Sequence, residues 1–119
     1  VSEPLVVLDR PVATDYCRRL FELAGQRPNV VGHANATEMV RSLVGAGQAC
    51  AVLNMVPQSD LTYAGDRVVA RPIADDLPPL TLAVGYAGPQ MRRVVARFVS
   101  ACQAYFDSAE GQKVICRGV

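Results

Sequence analysis

Hydrophobic and polar positions along the first 57 residues alternate between two rhythms, switching four times. Pro4-Leu5-Val6-Val7-Leu8-Asp9 is a continuous apolar run closed by Arg10-Pro11, the signature of a strand covered on both faces. Thr14 to Ala24 follows with Cys17, Leu20, Phe21 and Ala24 on one helical stripe, and Gly25 and Pro28 close it. Asn29 to Ala34 reads as a second strand. Asn35 then opens a second helix, with Glu38 three residues on completing an Asn-x-x-Glu capping box. Its stripe is Ala36, Met39, Val40, Leu43 and Val44, and Gly45 and Gly47 end it. Ala49 to Leu53 is a third apolar run, stopped by Asn54 and Pro57. Strand-helix-strand-helix-strand with short connections predicts a parallel unit with right-handed crossovers and helices on both faces.

The second half has a different pattern. Gln58 to Asp66 is a polar loop, Arg67 to Ile73 an edge strand, Asp75 to Pro79 a turn and Leu80 to Ala87 a further strand. Gln90 to Phe106 predicts the longest helix, whose face of Met91, Val94, Val95, Phe98, Val99, Cys102, Tyr105 and Phe106 is wide enough to require a substantial partner. Residues 107–119 have weak periodicity and are expected to fray.

Composition narrows the function. Of 119 residues half are hydrophobic and 19% charged, which argues against disorder. Twelve basic and eleven acidic side chains are interspersed, so no electrostatic footprint for nucleic acid stands out. Cys17, Cys50, Cys102 and Cys116 are widely spaced in apolar surroundings, with no metal or redox motif. Buried free thiols in a reducing, cytoplasmic setting are the simplest account of the first three. No apolar run is long enough to span a bilayer, and none reads as a signal peptide.

Candidate chemistry follows from topology. In open α/β sheets, ligands gather beyond the carboxyl ends of the strands, beside helix N-termini. Asp9 and Arg10, Asn35, Ala36 and Thr37, and Asn54, Met55 and Pro57 meet that description and are the expected ligand-contacting positions. Asn35 reads first as a cap, and the two roles are compatible if the backbone meets the ligand. His33, the single histidine, lacks a nucleophile pattern and reads as a strand-end polar residue. Asp75-Asp76 reads as a solvated turn, and Arg18-Arg19 and Arg92-Arg93 as solvated helix faces. Gly45-Ala46-Gly47 follows a helix instead of opening one, so it is no dinucleotide loop. These readings predict a binder that is not an enzyme and has neither catalytic residues, nor a metal, nor a cofactor.

Phe21 to Gly25, Asn29 to Val31, Glu38 to Gly47 and Ala51 to Leu53, in that order, resemble the effector-binding domain of LysR-type transcriptional regulators. The most recognisable stretch is Leu43 to Pro57. Val68 to Ile73, Leu80 to Val84 and the helix after Gly88 look like the segments that follow. Gln48 and Asn54 depart from the family pattern, where a small hydrophobic residue and a proline are common. The resemblance implies a three-layer, Rossmann-like α/β lobe of type II periplasmic-binding-protein architecture, with a mixed, mostly parallel sheet. It implies that residues 1–87 are the second lobe and 88–119 a return helix and tail that would pack on the first lobe. The family's helix-turn-helix and most of its first lobe are expected to lie outside this chain. Left without that lobe, the helix is expected to fold back on its own lobe, exchange with another copy, or dock on the missing piece. The implied partners are a small effector, a carboxylate or aromatic metabolite, a second copy of the chain, and DNA through the absent domain. The remaining alternatives are a lobe of a periplasmic solute-binding protein and a doubly wound enzyme domain.

Overall fold

The computed structural model describes residues 2–81, 83–88 and 91–115. Its elements are β1 (Pro4–Leu8), α1 (Pro11–Leu23), β2 (Asn29–Ala34), α2 (Thr37–Gly45), α3 (Arg93–Asp107) and α4 (Ala109–Lys113). β1 and β2 pair in parallel, with a register shift after Leu5 that leaves Val31 without a Cα partner. On the other side of β1, Val6 N–H donates to the Cys50 carbonyl at 2.9 Å and Cys50 N–H to that of Pro4 at 2.8 Å. β1 is therefore central. Its three inner residues, Leu5, Val6 and Val7, are all buried, as the continuous apolar run requires.

The core divides by the parity of the strand. Leu5 and Val7 pack with Cys17, Phe21 and Val52, whereas Val6 packs with Ala34, Val40, Leu43, Val44, Ala51 and Leu53. Residues 51–53 thus alternate sides as strand residues do. They do so without a ladder: the predicted third strand is reduced to the single Leu5–Cys50 bridge. Cys50 is consequently exposed, contrary to the expectation of a buried thiol. No strand flanks it on its outer side among the described residues.

The two helix stops are one device used twice. After α1, Gly25 has φ +62° and after α2, Gly47 has φ +73°. Gly25 N–H donates to Glu22 and Gln26 N–H to Phe21; Gly47 N–H donates to Val44 and Gln48 N–H to Leu43. Both are Schellman turns, in which a left-handed residue satisfies the last helical carbonyls. The helix starts differ from expectation. α1 begins at Pro11, where proline's fixed φ suits the first helical position. α2 is capped by Ala36 with no side-chain hydrogen bond, so the Asn35 capping box does not form. The Glu38 carboxylate is instead engaged by Arg41 and by Tyr63 N–H. Met39, expected on the buried stripe, is exposed, whereas Val40 beside it is completely inaccessible.

Beyond residue 57 the departures grow. Neither 67–73 nor the described part of 80–87 forms a strand. The expected polar loop contains a tight turn, in which Val68 N–H donates to Asp60 and Thr62 N–H to Asp66 around Gly65 at φ +91°. α3 begins at Arg93, three residues later than expected; Gln90 and Cys116 lie outside the described residues. The tail does not simply fray. Ser108 caps α4 by accepting from Gly111 N–H at 3.1 Å, and a Cβ on Gly111 would stand 2.0 Å from the Tyr105 carbonyl oxygen.

Among the described residues α3 has none that is buried, and α4 is the one element it packs against. Val94 and Phe98 are 66% and 59% exposed, so the helix has not folded back on the lobe that precedes it. The radius of gyration, 17.0 Å, reflects this; a compact chain of this length would have about 13–14 Å.

Candidate functional site at the strand ends

Parallel pairing places the carboxyl ends of β1 and β2 on one edge, and one backbone and one side-chain hydrogen bond hold the following segments together. Asp9 N–H donates to the Ala34 carbonyl at 2.7 Å, and Arg10 Nε to that of Asn35 at 3.2 Å. Asp9, Arg10 and Asn35 are solvent-exposed, and Ala36 and Thr37 are half-buried at the start of α2. Two helix N-termini open from this edge, those of α1 and α2, and neither carries a side-chain cap. First-turn N–H groups without a capping side chain present partial positive charge, the ordinary means of holding an anion. Thr14 Oγ1 donates to the Leu8 carbonyl at 3.1 Å, stitching α1 to the strand end.

The third segment comes to the same end of the sheet. Asn54 lines a small crevice with Leu8, Ala13, Tyr16 and Leu80. Tyr16 Oη closes it by donating to the Pro78 carbonyl at 2.9 Å. Met55 and Pro57 instead border a broad open cavity of about 990 Å³ whose floor is Val40, Val44, Ala51 and Leu53. Asp9, Arg10, Asn35, Ala36 and Thr37 do not line that cavity. The expected positions therefore divide into a strand-end group and a group beside α2.

A residue outside the predicted set ties α2 to the segment that follows Pro57. Arg41 is buried, although a helical arginine between two stripe positions reads as solvated. Its guanidinium donates to Glu38 in α2, and its Nη2 to the carbonyls of Ser59 at 2.6 Å and Leu61 at 3.0 Å. Glu38 Oε2 in turn accepts from Tyr63 N–H at 3.3 Å. Arg41 Nε is buried without a partner, which carries a desolvation cost of about 1–3 kcal/mol. At the far end of α2 a Cβ on Gly45 would meet Asp66 Cβ at 2.8 Å, so the 59–68 segment lies against the whole helix. The capping-box spacing had drawn attention to Glu38; no sequence signal marks Arg41.

His33 is exposed and pairs with Val7 in the sheet register. Asp75 and Asp76 are exposed too, and Arg18 forms ion pairs with Asp15 and Glu22 on a solvated face. Burial pushes the Cys17 thiol pKa up. Among the described residues no group of three His, Cys, Asp or Glu could hold a metal ion, and no helix is long and apolar enough to cross a membrane.

Residues 1–107 match the family model for the LysR substrate binding domain. Three solved structures are similar. The C-terminal domain of a protein described as a LysR family transcriptional regulator, from Rhodococcus sp. RHA1, is 35% identical over 65% of this chain and 38% of its own, with a TM-score of 0.62. HinK, a LysR family transcriptional regulator from Pseudomonas aeruginosa, is 32% identical over 86% of this chain and 36% of its own, with a TM-score of 0.64. A further protein from Pseudomonas aeruginosa described as a LysR family regulator is 29% identical over 89% of this chain and 37% of its own, with a TM-score of 0.67. The chain thus spans between 36% and 38% of the length of these structures. A search of curated proteins finds no match.

Proposed function

Because the chain belongs to the LysR substrate-binding domain family, we propose that it is the second lobe of a ligand-sensing region and carries one wall of an effector cleft. The observation that carries this reading is the pair of helix N-termini, both without side-chain caps, opening from one parallel strand edge. The expected occupant is a small carboxylate or aromatic metabolite. Its anionic group would meet the backbone N–H groups of Ala36 and Thr37 beside Asp9, Arg10 and Asn35. Asn54, Met55 and Pro57 would supply the adjoining wall.

In this reading the lobe is three-layered, a half of a type II periplasmic-binding-protein architecture. Residues 88–119 are its return segment, with the open face of α3 docking on a first lobe. Binding would bias the quaternary arrangement of a cytoplasmic homo-oligomer that holds DNA through a separate helix-turn-helix domain. Such biasing requires different affinity for two states, and couplings of about 1–3 kcal/mol are typical. The protein would sense and not catalyse. The relatives named above are transcriptional regulators, which favours this reading over a periplasmic solute-binding lobe or a doubly wound enzyme.

The test is a thermal-shift screen of metabolites against the full-length protein. A true effector at one hundred times its dissociation constant should stabilise by about 2.7 kcal/mol. A hit whose effect survives Thr37→Pro, which removes one of the proposed N–H groups at the first helical position, would place the ligand elsewhere.

A further inference from the structure

α2 touches both groups of candidate residues. Its N-terminus is the strand-end group, Asn35 to Thr37, and its side carries Glu38 and Arg41, which grip the backbone of 59–63. That backbone follows the other group, Met55 and Pro57, after the single residue Gln58. Resting on the strand-end reading of the ligand site, we infer that Arg41, held by Glu38, is the positioning residue of that site. It ties the 54–63 segment to α2, so that the two walls keep one spacing and move as a unit.

The chemistry favours a clamp over a ligand contact. The guanidinium spends two nitrogens on one carboxylate and two carbonyls. Its Nε has no accessible surface from which to reach a ligand. A planar fork with fixed donors suits a geometry in which acceptors come from a helix side chain and from a turn. Glu38 is itself held from two sides, by Arg41 and by Tyr63 N–H, so loss of either side chain releases the same segment.

Amide exchange and NMR resonances of the full chain, with no ligand added, test this. Arg41→Met keeps the apolar stem and removes the guanidinium. It should raise exchange at Tyr63 by about tenfold and shift the Met55, Val56 and Gln58 resonances, while Leu5–Val7 and Gly32–Ala34 keep their rates. Arg41→Lys should restore part of the protection. Glu38→Gln leaves an oxygen for Tyr63 N–H but no charge for Arg41, and should give the same local signature at lower amplitude. It serves as the deciding variant if Arg41→Met does not fold. Unchanged resonances at 55–58, or acceleration spread evenly through β1, would overturn the inference. Because no ligand is present, this outcome is independent of whether an effector binds at Asn35 to Thr37.

Discussion

α1 and α3 are amphipathic helices of 13 and 15 residues, yet α1 buries Cys17 and Leu20 and α3 buries nothing. α3 is the more apolar of the two, with ten of its 15 residues hydrophobic against seven of 13 in α1, so the difference lies in the surroundings. α1 lies against β1, whose Leu5 and Val7 meet it. α3 meets α4 alone among the elements. An apolar stripe therefore records a face that can be buried, and the partner must come from elsewhere in the fold. Helical periodicity was sufficient to locate both helices and insufficient to tell them apart.

The difference is most sharply tested by truncating one side chain in each region. Leu5→Ala should cost about 2–5 kcal/mol, the usual range for a large-to-small change in a packed core. Phe98→Ala should stay within about 0.5 kcal/mol in this chain, as for other surface changes. Chemical denaturation of the two variants measures both. A comparable loss from Phe98→Ala would mean that α3 is packed in solution, and the contrast would collapse.

A second, smaller effect separates the regions through their glycines. Gly47→Ala forces an L-residue into the left-handed conformation and should lower core stability by about 1–2 kcal/mol. Gly111→Ala meets the Tyr105 carbonyl directly and should undo α4. The core should then melt at an unchanged temperature while helical circular dichroism falls slightly. A shared loss of core stability would show that α4 is coupled to the sheet.

The smallest effect concerns the thiols. Cys17 has a pKa raised by burial from its ordinary value of 9.0, so the folded state holds the neutral form more firmly than the unfolded state does. Its contribution is fully present below pH 9 and is lost as pH climbs from there through the folded pKa. Iodoacetamide at pH 8 should label exposed Cys50 quickly and Cys17 only as fast as the core opens. Equal labelling rates would contradict the burial of the α1 face.

Legibility in the sequence follows the same division. β1, α1, β2 and α2 were readable because each is bounded by a local signal: Pro11, Gly25 and Pro28, then Gly45 and Gly47. The strand-end edge was readable because parallel order alone places Asp9 and Asn35 together. What failed depended on distant partners. Residues 51–53 have a strand's alternation but, among the described residues, no ladder beyond the single bridge of Cys50 to β1. Asn35 has no cap role because α2 starts one residue later than expected, with Ala36 at its N-cap, and Arg41 was hidden because its carbonyl acceptors lie 18 and 20 residues away. Exposed Cys50 is a third case, since its burial hinged on a strand that does not flank it.

The central place of β1 has a consequence for synthesis. The most apolar strand is made before the segments that flank it, and its hydrogen-bonding partners, Val30 and Cys50, lie 25 and 45 residues further along. At translation rates of about 5–20 residues per second, β1 waits roughly 2–9 seconds for the second of them to be made. During that interval Leu5, Val6 and Val7 present an unpaired strand at the ribosome. While residues 6–50 are being made, β1 is accordingly a segment for holding chaperones to cover, and folding yield should respond to how fast the codons of that stretch are read.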